Sequence, residues 1–233
     1  MPVSAPIHRL KRNARRLARE TGLPLHAALD RIAAGEGFAT WSLLIAKVAT
    51  PERAIYGRLR PADLLLLGAR PGQGKTLTGL KLAAEAMAAG HAGAFFTLEY
   101  SERDVHERLS ALGIDAAAYG GRFLIDTSEA VGAAHIMARL HDAPPGTVAV
   151  IDYLQILDLR RTAPDLSTQV AALKAFARER GLILVFLSQI DRTFDPARKP
   201  CPDLGDVRLP NPLDLALFDK TCFLHGREMR FHG

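Results

Sequence analysis

The stretch Gly68-Ala69-Arg70-Pro71-Gly72-Gln73-Gly74-Lys75-Thr76 constrains the fold of this chain more than any other. It follows the apolar run Leu64–Leu67 and opens a helical pattern over Thr76–Ala89 that Gly90 closes. A strand, a glycine-rich turn and a helix in that order form the setting in which backbone N–H groups cradle phosphates. Gly72 and Gly74 let the chain curl, and the helix start at Thr76 contributes the positive end of its dipole. Lys75 is expected to reach the β- and γ-phosphates, and the Thr76 hydroxyl to bind Mg²⁺. The strict pattern asks for glycine six residues before the lysine; Ala69 stands there, a small residue in its place.

From residue 51 onward, β-type runs alternate with helical segments. Strands are expected at Leu64–Leu67, Ala94–Leu98, Phe123–Asp126, Val148–Ile151, Leu182–Leu187 and, last, Thr221–Leu224. The helices between them are expected at Thr76–Ala89, Glu102–Leu112, Ala130–His141 and Ser167–Glu179. Such alternation gives an α/β fold, a mainly parallel sheet flanked by helices.

Two of these strands end in acids that suit a phosphate-binding loop. Val148-Ala149-Val150-Ile151-Asp152 places a carboxylate at a strand tip, where it can hold Mg²⁺. Phe95-Phe96-Thr97-Leu98-Glu99 places another after the loop helix, where it can act as general base on the attacking water. Phe186-Leu187-Ser188-Gln189 ends a third strand in a polar pair suited to sensing the γ-phosphate.

Charge separates the chain into two parts. Residues 1–50 hold eight Lys/Arg and three Asp/Glu, while the remainder holds 22 of each, so the whole +5 excess lies in the first fifth. That segment reads as three short helices: 7–20, one carrying Leu25, Ala28, Leu29 and Ile32, and one carrying Trp41, Leu44, Ile45 and Val48. Its basic helix is either a phosphate contact or the solvated face of an interface helix. The expected domains are thus a basic helical head, 1–50, and an ATPase domain, 51–233.

Other chemistries are poorly served. Cys201 and Cys222 cannot build a disulfide scaffold, and Cys222, His225 and His232 fit no zinc spacing. No apolar run approaches the ~20 residues of a membrane span, so a soluble protein without a membrane partner is expected; two cysteines without a disulfide scaffold suit a reducing, cytoplasmic compartment.

Taken together, four segments resemble the DnaB-type replicative helicases of the RecA superfamily. Gly68–Thr76, preceded by Pro61-Ala62-Asp63, looks like their nucleotide loop. Thr97-Leu98-Glu99-Tyr100-Ser101 resembles their segment with the catalytic Glu, and Ile151-Asp152-Tyr153-Leu154-Gln155 their Walker B strand. Leu187-Ser188-Gln189-Ile190, with Arg192, resembles their γ-phosphate-sensing strand. The resemblance covers about residues 51–225 and implies a RecA-like P-loop NTPase. In it residues 69–76 (Ala69, Arg70, Pro71, Gly72, Gln73, Gly74, Lys75, Thr76) bind ATP, Thr76 and Asp152 hold Mg²⁺, and Glu99, Lys75 and Gln189 are catalytic.

The resemblance also implies single-stranded DNA as partner, gripped by loops that here carry Arg160 and Arg161, and self-association into a ring or filament. It departs at both ends. Residues 1–50 replace a long helical domain, and the chain stops where the family's hairpin, with an arginine for the neighbour's site, would begin. Arg208, Arg227 and Arg230 are the nearby arginines, and a protein partner supplying that finger is an alternative. Without a finger, worth roughly 10³–10⁵ in rate, hydrolysis would be slow. Three activities follow: a DNA-dependent ATPase or helicase, a KaiC-like regulatory or loading ATPase acting on a protein, and a nucleotide-binding module with little hydrolysis.

Overall fold

A computed structural model describes residues 3–5, 7–48, 50–130, 132–158, 164–209, 211–226 and 228–233. The chain divides into two compact units, Met1–Ala54 and Ile55–Gly233.

The first unit holds α1 (Ile7–Thr21), α2 (Leu25–Gly35) and α3 (Trp41–Val48); α4 (Pro51–Tyr56) spans the boundary. Leu10 and Ala14 fall one turn apart on α1 and are buried, as are Ala28 and Ala33 of α2. The centre is small: Leu10, Ala33 and Leu44, with Ile7, Ile32, Phe38, Trp41 and Ile45 partly buried around them. The Asp30 carboxylate accepts the Trp41 N–H at 2.8 Å, tying the middle of α2 to the start of α3.

The second unit is built on a seven-stranded sheet. Its strands are β1 (Leu64–Ala69), β2 (Gly93–Thr97), β3 (Phe123–Asp126), β4 (Val148–Asp152), β5 (Ile183–Gln189), β6 (Lys220–His225) and β7 (Glu228–His232). The order is β3-β2-β4-β5-β1-β6-β7. All neighbours run parallel except β6 and β7. Between them lie α5 (Lys75–Ala88), α6 (Glu102–Ala111), α7 (Ala133–Arg139) and α8 (Leu166–Arg180).

The central strands read as unbroken apolar runs because both faces are covered. Successive residues of β1 serve opposite layers. Leu64 and Leu66 join α7 and α8 through Ile136, Val170 and Leu173. Leu65, Leu67 and Ala69 join α5 and α6 through Leu80, Ala83, Val105 and Leu109. Each fully buried leucine contributes about 1.5–3 kcal/mol by leaving water. The layers fit closely: a Cβ at Gly79 would come within 2.9 Å of Val150 Cγ1.

This is the expected α/β architecture, with one strand more. Thr221–Leu224 does not end the sheet; β7 pairs antiparallel with it through a hairpin. Met229 and Phe231 turn inward while Glu228, Arg230 and His232 face solvent. An edge strand with only two inward residues carries little apolar signal, which is why the sequence pattern understates it. Among the described residues no helix is long and apolar enough to cross a membrane.

Candidate nucleotide site

Parallel strands deliver their carboxyl ends to one edge. Register places Gly68 beside Ser188, Ala69 beside Gln189, Thr97 beside Asp152, and Asp152 beside Leu187. Loop, acids and polar pair, far apart in the sequence, thereby meet at one edge of the sheet.

The loop itself depends on its glycines. Gly72 and Gly74 take φ of 76° and 85°, a left-handed region closed to most side chains. Gly74 caps α5 without any side-chain hydrogen bond. Glycine has no side chain with which to cap the helix, so the cap residue itself leaves the first-turn N–H groups to another acceptor, the usual basis of a phosphate site. Lys75 and Thr76, on its first turn, are both 8% exposed.

Asp152 is the electrostatic centre. It is fully buried at the tip of β4, and its Oδ2 accepts the Thr76 hydroxyl at 2.9 Å. Its Oδ1 is buried with no protein partner. Burial pushes the carboxyl up to about 6; the Lys75 ammonium and the Thr76 hydroxyl oppose the rise, the Glu99 carboxylate adds to it, and Arg108 counters it. Thr97 is buried beside it, and its hydroxyl accepts the Glu99 N–H at 3.1 Å, fixing the turn that carries the exposed Glu99. Ser188 is fully buried with an unpartnered Oγ, and Gln189 is half-buried.

Arg70 and Gln73 turn their side chains elsewhere. Arg70 donates to the carbonyls of Arg192 at 2.9 Å and Phe194 at 2.5 Å, and lies 5.4 Å from the centre of the Phe194 ring. Gln73 Oε1 accepts the Gly226 N–H at 2.8 Å. The two fasten the loop to the segment after β5 and to the β6–β7 turn. Phe194 in turn stacks edge-on with His225 at 5.3 Å.

Two residues escaped the sequence reading. Thr97 is visible there only as a polar residue ending an apolar strand. Arg108, on α6, stacks 4.1 Å above the Tyr100 ring, and its Nε is buried without a partner; nothing in its charged helix marks it. Arg160, Arg161 and Arg227 lie outside the described residues. Arg208 gives its backbone N–H to Gln189 O at 2.8 Å and accepts Gln155 Nε2 on its carbonyl at 2.9 Å. Arg230 lies 3.4 Å from Glu228 on β7.

A mainly parallel sheet with a glycine-rich loop after β1, a buried acid ending β4 and helices on both faces defines a RecA-like P-loop NTPase. A family model described as "ATPase: KaiC" matches residues 47–200, and the chain belongs to that family of P-loop ATPases. The replicative DNA helicase DnaB of Treponema pallidum is 29% identical over 203 residues, 73% of this chain and 45% of the helicase. DnaB of Synechocystis is 29% identical over 186 residues, 66% of this chain and 21% of the helicase. The chain thus spans less than half the length of these curated relatives.

Among solved structures, an ATPase domain superposes with a TM-score of 0.56 at 20% identity, covering 72% of this chain and 71% of that one. A DnaB-like replicative helicase, described with its interactions with primase, superposes at 0.62 and 18% identity, covering 94% and 65%. Both share the fold.

Proposed function

We propose that the second unit hydrolyses Mg·ATP at the carboxyl edge of its sheet and couples turnover to single-stranded DNA, in the manner of a DnaB-like helicase. The observation that carries the nucleotide half is the Thr76–Asp152 hydrogen bond beside an unpartnered, buried Asp152 Oδ1. A hydroxyl and a buried carboxylate with one oxygen unsatisfied are the hard oxygen donors a Mg²⁺ ion prefers. Thr76 and Asp152 would hold it. When bound, the ion would supply neutralisation of the charge on the phosphates.

The chain's own groups divide the remaining work. The loop N–H groups and Lys75 bind and orient the phosphates. Glu99, held out from β2 by the Thr97 hydroxyl, accepts the proton of the attacking water. Gln189 and Ser188, one strand from the loop, face the same edge and read whether a γ-phosphate is present. The DNA half is drawn from the likeness to DnaB over 73% of this chain. Self-association into a ring or filament, with an arginine from a neighbour or partner, belongs to the same reading.

The KaiC family model favours a second reading, a regulatory ATPase that acts on a protein partner. Turnover measured with and without single-stranded DNA separates them. Stimulation by DNA supports the first reading and unstimulated turnover the second, whereas nucleotide binding without turnover contradicts both.

A further inference from the structure

The first unit, the head together with the start of α4, holds a pocket of its own. Ile7, Lys11, Trp41, Ser42, Ile45 and Arg53 line a space of about 410 Å³. Its walls are of two kinds. Ile7, Ile45 and Trp41 are apolar and half-buried, and all three lean on the Leu10–Ala33–Leu44 centre, so the Trp41 ring has fixed backing. Lys11 and Arg53 are exposed cations, and neither makes an ion pair among the described residues.

The cations continue beyond the pocket. Lys11, Arg15 and Arg19 recur every fourth residue on α1 and are all exposed, with Arg12 and Arg16 alongside. Four residues of helix advance about 6 Å, so the stripe sets charges at regular short steps leading away from Trp41. Glu20, paired with Arg16 at 3.9 Å, is the sole acid in α1. An aromatic face beside a positive track is the arrangement that binds single strands: the base stacks, and the backbone follows the charge.

We propose that the head is a single-stranded nucleic-acid site, with one base stacked on Trp41 and flanking phosphates held by Lys11, Arg53 and the α1 stripe. An anionic membrane would be the rival for a basic amphipathic helix. The apolar face of α1 is already spent, with Leu10 at 3% and Ala14 at 0% exposure in the head's own centre. The proposal stands on the head's residues and requires neither ATP turnover nor DNA coupling by the second unit.

Trp41 is the only tryptophan in the chain, so its fluorescence reports on this site alone. The whole chain, both units together, would be titrated without nucleotide against oligo(dT), oligo(rU), inorganic polyphosphate and anionic phosphatidylserine vesicles. Quenching by either oligonucleotide, and not by polyphosphate of equal charge, is expected; the tighter of the two names the strand. Lys11→Gln with Arg53→Gln should weaken binding by about tenfold or more, and should flatten its salt slope by about 1.4 for two lost phosphate contacts. Both side chains are exposed, so circular dichroism should report an unchanged fold.

Lys75→Ala should leave the quench intact, which keeps this site's failure distinct from failure of the nucleotide site. A silent titration, equal quenching by polyphosphate, a response confined to vesicles, or unchanged affinity in the folded double variant would each overturn the proposal.

Discussion

The Thr76 hydroxyl donates to Asp152 Oδ2 at 2.9 Å, joining residues 76 positions apart at the edge of the sheet. Each restrains the other, and the free Oδ1 is left as the carboxylate's remaining acceptor. Asp152→Asn keeps the shape and removes the charge. It should raise the Mg²⁺ concentration needed for half-maximal turnover by at least about tenfold, since a carboxylate is the better ligand for a hard cation. A Mg²⁺ titration of ATPase rate at saturating ATP checks this, and an unchanged midpoint would remove Asp152 from the metal site.

Lys75 is nearly buried, and its charge stabilises the ionised form of Asp152. Lys75→Ala should abolish measurable ATP binding, because both the phosphate contact and that electrostatic balance go. Folding should survive, since the apolar layers lie deeper in the sheet. Binding of a fluorescent ATP analogue, with a thermal melt as control, makes the comparison.

Glu99 should behave differently. Its carboxylate is exposed while its backbone is held by Thr97. Glu99→Gln should bind Mg·ATP as before and turn over roughly 10²–10⁴-fold more slowly, the usual worth of a general base. Single-turnover kinetics at saturating ATP distinguish lost chemistry from lost binding.

The strand tips were legible because parallel β/α order fixes which ends share an edge. Asp152, Glu99, Gln189 and the loop each end or follow an apolar run, so their meeting could be anticipated from sequence alone. What lay beyond reach depended on side-chain direction. Arg70 and Gln73 sit inside the loop motif, yet their side chains reach Phe194 and Gly226, partners 124 and 153 residues away. Arg108 looks like one more charge on α6 until its stacking on Tyr100 is seen. In the head, the helices were readable from spacing, but the pocket joining Lys11, Trp41 and Arg53 arises only from their packing.

Gly68 offers a test of packing behind the loop. A Cβ there would come within 2.7 Å of Phe223 Cε1 and 3.1 Å of Ile190 Cδ1, and the Phe223 ring is itself 1% exposed. Gly68→Ala should destabilise the fold by about 1–3 kcal/mol, the usual cost of overpacking. Adding Phe223→Leu should recover part of that loss, because the offending ring is gone. Denaturant unfolding of the two single variants and the double variant gives the coupling.

Asp126 should govern stability in acid. Its side chain ends β3 with 5% exposure and takes Arg139 Nε at 2.7 Å, His135 Nε2 at 3.1 Å and the Ser128 N–H at 3.0 Å. Burial pushes its pKa up, but the Ser128 N–H, Arg139 and His135 outweigh that, and the folded value lies below the ordinary one. A depressed carboxyl favours folding most where it is ionised in both states. Its contribution is therefore complete above about pH 4, the unfolded value, and is lost as pH falls through the lower folded value. Arg139 is nearly half exposed, which limits the contribution to about 1 kcal/mol or less. Asp126→Asn should lower stability at pH 7 by that amount and flatten the decline between about pH 5 and pH 2. Unfolding free energies across that range test it, and parallel wild-type and variant curves would show that Asp126 carries none of the acid dependence.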